Sequence, residues 1–281
     1  MQSDLLHRYI FENLDVRGEL VQLQQTYQDI IAGHDYPAEV QALLGELLVA
    51  TCLLTATLKF EGQIAVQLQG DGPVKYAVIN GDHQQNMRGI ARLQSELRGG
   101  SIADLIGQGH MVITITPSKG ERYQGIVPLT ADTLAGCLES YFEQSEQLKT
   151  RLWLATSNQD GVAKASGMLL QVLPVDQAKS KTDFAHLEAL TTTITASEML
   201  DLDAQTVLTR LYHEDNPQLF TPQAVQFKCG CSREKTIDAL VNVGREALLE
   251  DLAAQGEIKI SCHYCLQDYR FNEDDINAIF S

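Results

Sequence analysis

The sequence predicts an α+β protein in three parts. These are an N-terminal domain of antiparallel hairpins with helices (1–175), a helical linker (176–226) and a small cysteine-containing module (227–281). Short alternating segments separated by turn residues predict the hairpins, and one long helical apolar pattern predicts a central helix. The third observation is that four of the six cysteines fall in the last part, in two close pairs.

The composition restricts the class of protein. The chain has 281 residues, 44% of them hydrophobic, and a formal net charge of −16. Because non-specific binding to nucleic acid relies on Lys and Arg, this charge argues against a nucleic-acid partner. An acidic surface instead favours solubility, including that of complexes with partners that expose apolar surface.

The chain is predicted to be cytosolic and not membrane-bound. Met1–Asp4 is neither basic nor followed by an apolar segment, unlike a secretory signal. The longest apolar run, 47–54, is too short to cross a bilayer. Thiols arranged for a metal also indicate a reducing compartment.

Alternating segments in the first part predict β-strands. Three turns, 70–73, 117–120 and 158–161, join consecutive segments into hairpins. The predicted strands are 16–23, 63–69, 74–79, 111–116, 123–127, 152–155 and 168–173, and 8–11 alternates imperfectly in an extended stretch. Hairpins interspersed with helices give an α+β domain.

Three helices are predicted in the same part, at 38–58, 102–106 and 133–148. The first is apolar over much of its circumference and is expected to be central. Cys52 and Cys137 lie on apolar helical faces, so we expect both to be small buried hydrophobic residues without reactivity. No local Ser/His/Asp or Glu/His pattern indicates an enzyme, and the glycine-containing turns lack a phosphate-loop context.

The composition changes after Pro174, and 175–182 is polar and charged, as in a linker. Two helical patterns follow, at 184–194 and 199–211, each with a narrow apolar stripe. Such helices are only marginally stable unless they pack on another element, so the linker is predicted to be metastable.

The cysteines of the last part read Cys229-x-Cys231, thirty intervening residues, then Cys262-x-x-Cys265. Two close pairs separated by a small structural unit predict a zinc site of four thiolates. Such a site is closed, which indicates a structural rather than catalytic metal. Four free thiols in a core, or two disulfides, are the alternatives. Helices at 233–241 and 245–254, strands at 258–260 and 266–271, and a last helix capped by Asn272 complete the module.

Lys228, Arg233 and Lys235 flank the first pair. Cations near thiolates keep them ionised, and ionised sulfurs are the ones that oxidants attack. The cluster can therefore be a metal site when reduced and a source of disulfides when oxidised. The spacing fits an inert structural metal site equally well.

The four cysteines and several N-terminal segments together resemble the redox-regulated 33 kDa heat-shock chaperonin family of ATP-independent holdases. The similar N-terminal segments are 17–19, 45–48, 58–62, 69–73 and 88–89. The resemblance spans essentially the whole chain and includes all four metal positions.

The resemblance implies a chaperone and no enzyme. It implies that Cys229, Cys231, Cys262 and Cys265 bind Zn²⁺ in a reduced, inactive and monomeric form. Oxidants would then link Cys229 with Cys231 and Cys262 with Cys265, and zinc would leave. The module and linker would unfold, and the active homodimer would hold unfolding client proteins through the N-terminal domain.

Two rival functions follow from the same cysteines. A zinc-ribbon protein that binds nucleic acid would need the basic residues that this chain lacks. A thiol–disulfide oxidoreductase using Cys262 and Cys265 would need the βαβ context of a redox C-x-x-C motif, which is not predicted here.

Overall fold

The computed structural model describes residues 4–57, 61–159, 161–173 and 177–280. The chain divides into two compact units, Met1–Phe227 and Lys228–Ser281, and each is described by itself. The predicted end of the central helix at Leu58, Asp160 of a predicted turn, and Pro174 and Val175 at the start of the linker lie outside the described residues.

Strands of the first unit form two antiparallel sheets of different composition. They are β1 (Leu5–Phe11), β2 (Val16–Leu23), β3 (Gly62–Gly70), β4 (Val74–Asp82), β5 (Asn86–Leu93), β6 (Gly109–Pro117), β7 (Tyr123–Pro128), β8 (Thr150–Gln159), β9 (Val162–Val172), β10 (Pro217–Leu219), β11 (Gln223–Ala224) and β12 (Gln226–Phe227). Within the described ranges, sheet A has the order β10-β1-β2-β9-β8 with β11 also beside β1, and sheet B has the order β12-β5-β4-β3-β6-β7. The exception to antiparallel pairing is β12, which runs parallel to β5.

Helices of the first unit lie on both faces of sheet A. They are α1 (Gln25–Ile31), α2 (Ala38–Thr57), α3 (Ile102–Ile106), α4 (Leu134–Tyr141), α5 (Gln177–Thr191), α6 (Ala196–Asp201) and α7 (Ala204–Tyr212). One of them, α3, contacts strands of sheet B. The mixed α+β class predicted from the sequence is confirmed, and the hairpins β3–β4, β6–β7 and β8–β9 pair as expected.

Helix α2 is the centre of the first unit, because it contacts strands of both sheets. Its mean hydropathy of 1.6 and its 20 residues are enough for a membrane span by length and composition, so the sequence argument from a short apolar run was wrong. The packing gives a better argument, since 72% of the apolar window is buried inside the fold. Gly45 allows the close approach of Tyr27, because a Cβ there would lie 2.8 Å from that ring. We therefore interpret α2 as the core helix of a globular unit.

The predicted linker packs on the face of sheet A that is opposite to α2. Helices α5, α6 and α7, here called the linker helices, share a second core with β1, β2 and β9. Its fully buried members include Tyr9, Leu20, Phe184, Leu208 and Tyr212. The apolar stripes predicted for these helices thus lie against the sheet of the first unit. The division into client-binding, linker and switch parts stays a prediction.

Several local elements differ from the sequence-based expectations. The predicted helix 133–148 ends as α4 at Tyr141 and continues as a π-helical turn, Phe142–Glu146. Phe142 at the start of this turn is buried, and Gln147 adopts a left-handed conformation (φ 55°) where the turn ends. Helix α1 and strand β5 were not predicted.

The second unit is a small α+β fold. Its elements are α8 (Arg233–Val243), α9 (Arg245–Gln255), β13 (Ile258–Ser261), β14 (Asp268–Phe271) and α10 (Glu273–Ile279). Gly244 (φ 94°) separates the first two helices and Gly256 (φ 81°) ends the second, as predicted. Asn272 caps α10, also as predicted. The buried hydrophobic cluster contains Leu240, Leu248, Leu252, Phe271 and Ile276.

Candidate metal centre

The four predicted ligands lie on two neighbouring segments of the second unit. Cys229 and Cys231 immediately precede α8, whose first turn is capped by the Ser232 hydroxyl accepting from the Lys235 amide at 3.3 Å. Cys262 and Cys265 lie in the loop of the β13–β14 hairpin. Backbone bonds fold this loop tightly: the Leu266 amide donates to the Cys262 carbonyl, and the Cys262 amide donates to the Gln267 carbonyl, both at 2.9 Å.

The sulfur atoms of the four cysteines form one cluster. All four Sγ atoms lie within 4.8 Å of one another, and each side chain is partly exposed. Cys229 and Cys262 are 3.5 Å apart at sulfur, and Cys231 and Cys265 are 3.4 Å apart. Tetrahedral coordination with metal–sulfur bonds of about 2.3 Å requires sulfurs about 3.8 Å apart. The cluster therefore has the dimensions of a four-thiolate metal site.

Tyr269 adds a contact that the sequence analysis missed. Its hydroxyl donates a hydrogen bond to Cys231 Sγ at 3.2 Å. Tyr269 lies on β14, opposite Ile260 on β13. The one signal in the sequence is its position four residues after Cys265, and that spacing alone does not indicate a contact with Cys231.

The sulfurs differ in acidity. Burial raises the pKa of Cys231, but hydrogen bonds from Tyr269 and the neighbouring thiols outweigh it and lower that pKa to about 7. Burial raises the pKa of Cys229, and the hydrogen bonds that its thiol makes with the other three thiols raise it further. Burial also raises the pKa of Cys265. The hydrogen bond from Tyr269 therefore favours the ionised form of Cys231.

The predicted cations contribute unequally to this site. The Lys235 ammonium donates to the carbonyl of Gly230, between the first two cysteines. Arg233 instead pairs with Asp275 at 2.7 Å and stacks over the Phe271 ring. The guanidinium of Arg233 therefore joins α8 to α10, and its effect on the thiolates stays a prediction.

The two remaining cysteines belong to the first unit. Cys52 and Cys137 are 0% and 1% exposed in the core of the first unit, which confirms the predicted burial. Burial, together with the nearby Asp4 carboxylate, raises the pKa of Cys52 well above its ordinary value. A thiol that stays protonated at neutral pH is a poor nucleophile.

Comparisons with known proteins agree over the whole chain. A family model described as "Hsp33 protein" matches residues 4–272. A 33 kDa chaperonin from Pseudoalteromonas translucida is 72% identical over 281 residues, covering 100% of both chains. Another from Photobacterium profundum is 58% identical over 280 residues, covering 99% of this chain and 96% of the relative.

A solved structure supports the fold. The crystal structure of a 33 kDa chaperonin, an Hsp33 homolog from Thermotoga maritima, matches with a TM-score of 0.85. That match covers 98% of this chain and 97% of the other, at 23% identity. The family model and the close relatives, together with the four-cysteine cluster, lead to one conclusion: the chain belongs to the Hsp33 family.

Proposed function

We propose that this chain is a redox-regulated, ATP-independent chaperone that holds unfolding proteins and prevents their aggregation under oxidative stress. The observation that carries the proposal is the cluster of four sulfurs in a unit with a very small core. Membership of the Hsp33 family and relatives named 33 kDa chaperonin support it. Client proteins would be chains that expose apolar surface as they unfold.

The proposed metal is Zn²⁺, with Cys229, Cys231, Cys262 and Cys265 as its ligands. Four thiolates and a closed tetrahedral arrangement are typical of structural zinc sites. When bound, zinc would supply a cross-link between the two cysteine segments and so stabilise the second unit. The chain's own contributions are the tight β13–β14 loop and the Ser232 cap, which hold the two pairs of sulfurs close together.

Oxidation is proposed to convert the thiols to two disulfides. A thiolate attacks one oxygen of hydrogen peroxide, giving a sulfenic acid and hydroxide; a second thiol then displaces the sulfenic oxygen as water. Overall, two thiols and one peroxide give one disulfide and two waters. Each pair loses two electrons to the peroxide, and the sulfurs lose the negative charge that a metal requires.

Pairing of Cys229 with Cys231 and of Cys262 with Cys265 is proposed because the resemblance to the Hsp33 family implies it. In the folded cluster the closest sulfurs join the two segments, so the folded geometry does not select these pairs. Forming them therefore requires each cysteine to leave its nearest sulfur on the other segment.

The linker helices are the proposed link between the switch and client binding. Phe184, Leu187 and Leu208 are fully buried against sheet A. Release of these helices would expose both their apolar stripe and the matching face of β1, β2 and β9. We further propose a monomer when reduced, a homodimer when oxidised, a cytosolic location, and no binding to nucleic acid or membranes.

The test measures zinc and chaperone activity on the same samples. Reduced protein is treated with peroxide at mildly elevated temperature, released zinc is followed with a chelating dye, and light scattering follows a thermally unfolding client. We expect zinc release before or together with suppression of aggregation, and little suppression by reduced protein. If reduced, zinc-loaded protein holds the client as well as the oxidised protein does, the redox proposal is wrong.

Two further assays separate the rival functions. A gel shift at low salt tests nucleic-acid binding, for which the net charge of −16 predicts no complex. Reduction of insulin tests oxidoreductase activity. The second cysteine pair lies in a β-hairpin rather than a βαβ unit, so we expect no turnover.

A further inference from the structure

The contact between Tyr269 and Cys231 joins the two cysteine segments without a metal. Cys231 precedes α8, whereas Tyr269 belongs to β14 of the hairpin that carries Cys262 and Cys265. The hydroxyl oxygen lies 3.2 Å from Cys231 Sγ, a normal distance for a hydrogen bond to sulfur. One hydroxyl thus connects the hairpin of the second pair to a sulfur of the first.

The position of this hydroxyl is fixed by the ring that carries it. Tyr269 packs against the small core formed by Leu240, Leu248, Leu252, Phe271 and Ile276. Pairing with Ile260 holds its backbone in the β13–β14 ladder. Because both the ring and the backbone are held, the hydroxyl needs little reorganisation to donate to a thiolate.

We propose that Tyr269 is a positioning residue that sets both the metal affinity of the cluster and its sensitivity to oxidants. The inference rests on the proposed zinc site and extends it beyond the four cysteines. A hydrogen bond to a thiolate draws negative charge away from the sulfur. Four thiolates crowded within 4.8 Å repel one another, so this donation favours the metal-bound state.

In the metal-bound state, where all four sulfurs are already ionised, the same hydrogen bond protects the Cys231 sulfur from peroxide. Attack on peroxide requires an available electron pair on sulfur, and a donor at 3.2 Å occupies one and reduces its nucleophilicity. Tyr269 therefore raises the oxidant concentration needed to open the site. The switch is tuned by a phenol on the neighbouring hairpin rather than by the cysteines alone.

The test variant is Tyr269→Phe in the full-length chain, which keeps the ring in the core and removes the hydroxyl. The matched control is Ser261→Ala, which removes the hydroxyl bonded to Asp268 at 2.5 Å on the same hairpin without a sulfur contact. Three quantities are measured: zinc affinity against a chelator, the sulfur-to-metal charge-transfer band of the cobalt-substituted protein, and the rate of zinc release by peroxide.

For Tyr269→Phe we expect about a tenfold loss of zinc affinity, as for other residues that support metal ligands. The cobalt charge-transfer band should shift, because it reports electron density on sulfur, and peroxide should release zinc several-fold faster. Ser261→Ala should match the wild type in all three measurements.

Three outcomes would overturn the inference. Wild-type values for Tyr269→Phe in the cobalt band and in chelator competition would show that the hydroxyl does not act on the sulfur. Equal changes in Ser261→Ala would show that only the stability of the hairpin matters. A wild-type chain that binds neither zinc nor cobalt would refute the metal site itself, and so would be distinguishable from failure of Tyr269 alone.

Discussion

The two units of this chain are stabilised by different means. The first has an apolar core around α2 and a second one beneath the linker helices, so both faces of sheet A are covered. The second has a cluster of five buried hydrophobic residues beside its four sulfurs. A core of that size contributes roughly 3–5 kcal/mol, whereas structural zinc contributes an apparent ~10–16 kcal/mol in small zinc-finger peptides. We therefore expect burial to be enough for the first unit and the second unit to depend on metal binding by its sulfurs.

Loss of the metal ligands should therefore produce the largest difference in stability between the two units. We expect the Cys229→Ser/Cys265→Ser variant to lose zinc and the second unit to unfold, because the lost metal contribution exceeds that of the core. The first unit should keep its protected amides in hydrogen exchange. Cys137→Ala is the control and should retain zinc. Full zinc occupancy in the double variant would contradict the assignment of the ligands.

The second prediction concerns the layer that the linker helices form on sheet A of the first unit, here called the linker layer. Phe184 is fully buried against sheet A, with the Lys149 ammonium 4.6 Å from its ring centroid. Phe184→Ala should cost about 3–5 kcal/mol and loosen the linker helices while the metal stays bound. Hydrophobic-dye binding by reduced protein is the measurement, with Phe220→Ala, at a residue 51% exposed, as control. Unchanged dye binding and unchanged stability would show that the layer is not held by apolar burial.

The third prediction concerns a buried carboxyl group of the first unit. Glu19 is 2% exposed, and its Oε2 atom has no hydrogen-bond partner among the described residues. Burial raises the pKa of Glu19 to about 7, although Arg17 and Arg8 oppose the rise. The folded state therefore holds a proton that the unfolded state releases above its own pKa near 4.5, and stability falls as pH rises between these values.

Glu19→Gln removes the ionisable group and with it the free-energy cost of ionising a buried carboxyl at high pH. The variant should match the wild type at pH 4.5 and be more stable at pH 8, by at most on the order of 3 kcal/mol. Thermal unfolding at the two pH values is the measurement, and exposed Glu12→Gln is the control. A variant less stable than wild type at pH 8 would show that the arginines hold Glu19 charged.

The smallest expected effect tests the polar contacts of the linker layer. The Gln22 amide donates to the carbonyls of Met199 and Leu202, at 2.8 and 2.7 Å, and so fixes the connection between α6 and α7 to β2. Gln22→Ala should cost about 1–2 kcal/mol for two hydrogen bonds. Denaturant unfolding measures it, with exposed Gln205→Ala as control. An effect as large as that of Phe184→Ala would mean that the layer is held by polar rather than apolar contacts.

Prediction from the sequence worked best where one pattern decides the outcome. The long apolar segment at 38–57 predicted α2, and alternation between turn residues predicted three hairpins, because burial selects apolar residues all round a central helix and at every second position of a strand. Spacing alone also gave the four clustered cysteines. These features are local, so a single sequence contains them.

Features that depend on tertiary contacts could not be predicted. The short strands β10, β11 and β12 exist through pairing with β1 and β5, which are distant in the sequence. Helix α1 has little apolar periodicity, and the Asp4 carboxylate accepts from the amides of its first residues, Gln25 and Thr26. The contact of Tyr269 with Cys231 likewise joins residues 38 positions apart.

The apolar helix α2 must stay buried if the chain is to refold after partial unfolding. Its hydropathy would suit the interior of a lipid bilayer, yet the folded first unit hides it between two sheets. If the first unit opened, this segment would compete for the same chaperones as the clients and would adhere to membranes or to other copies. The proposed mechanism, in which part of the chain unfolds, therefore requires that the core around α2 stay folded. The four clustered cysteines belong to the other unit, so in the proposed mechanism an oxidant would unfold the second unit and leave Cys52 and Cys137 buried with α2.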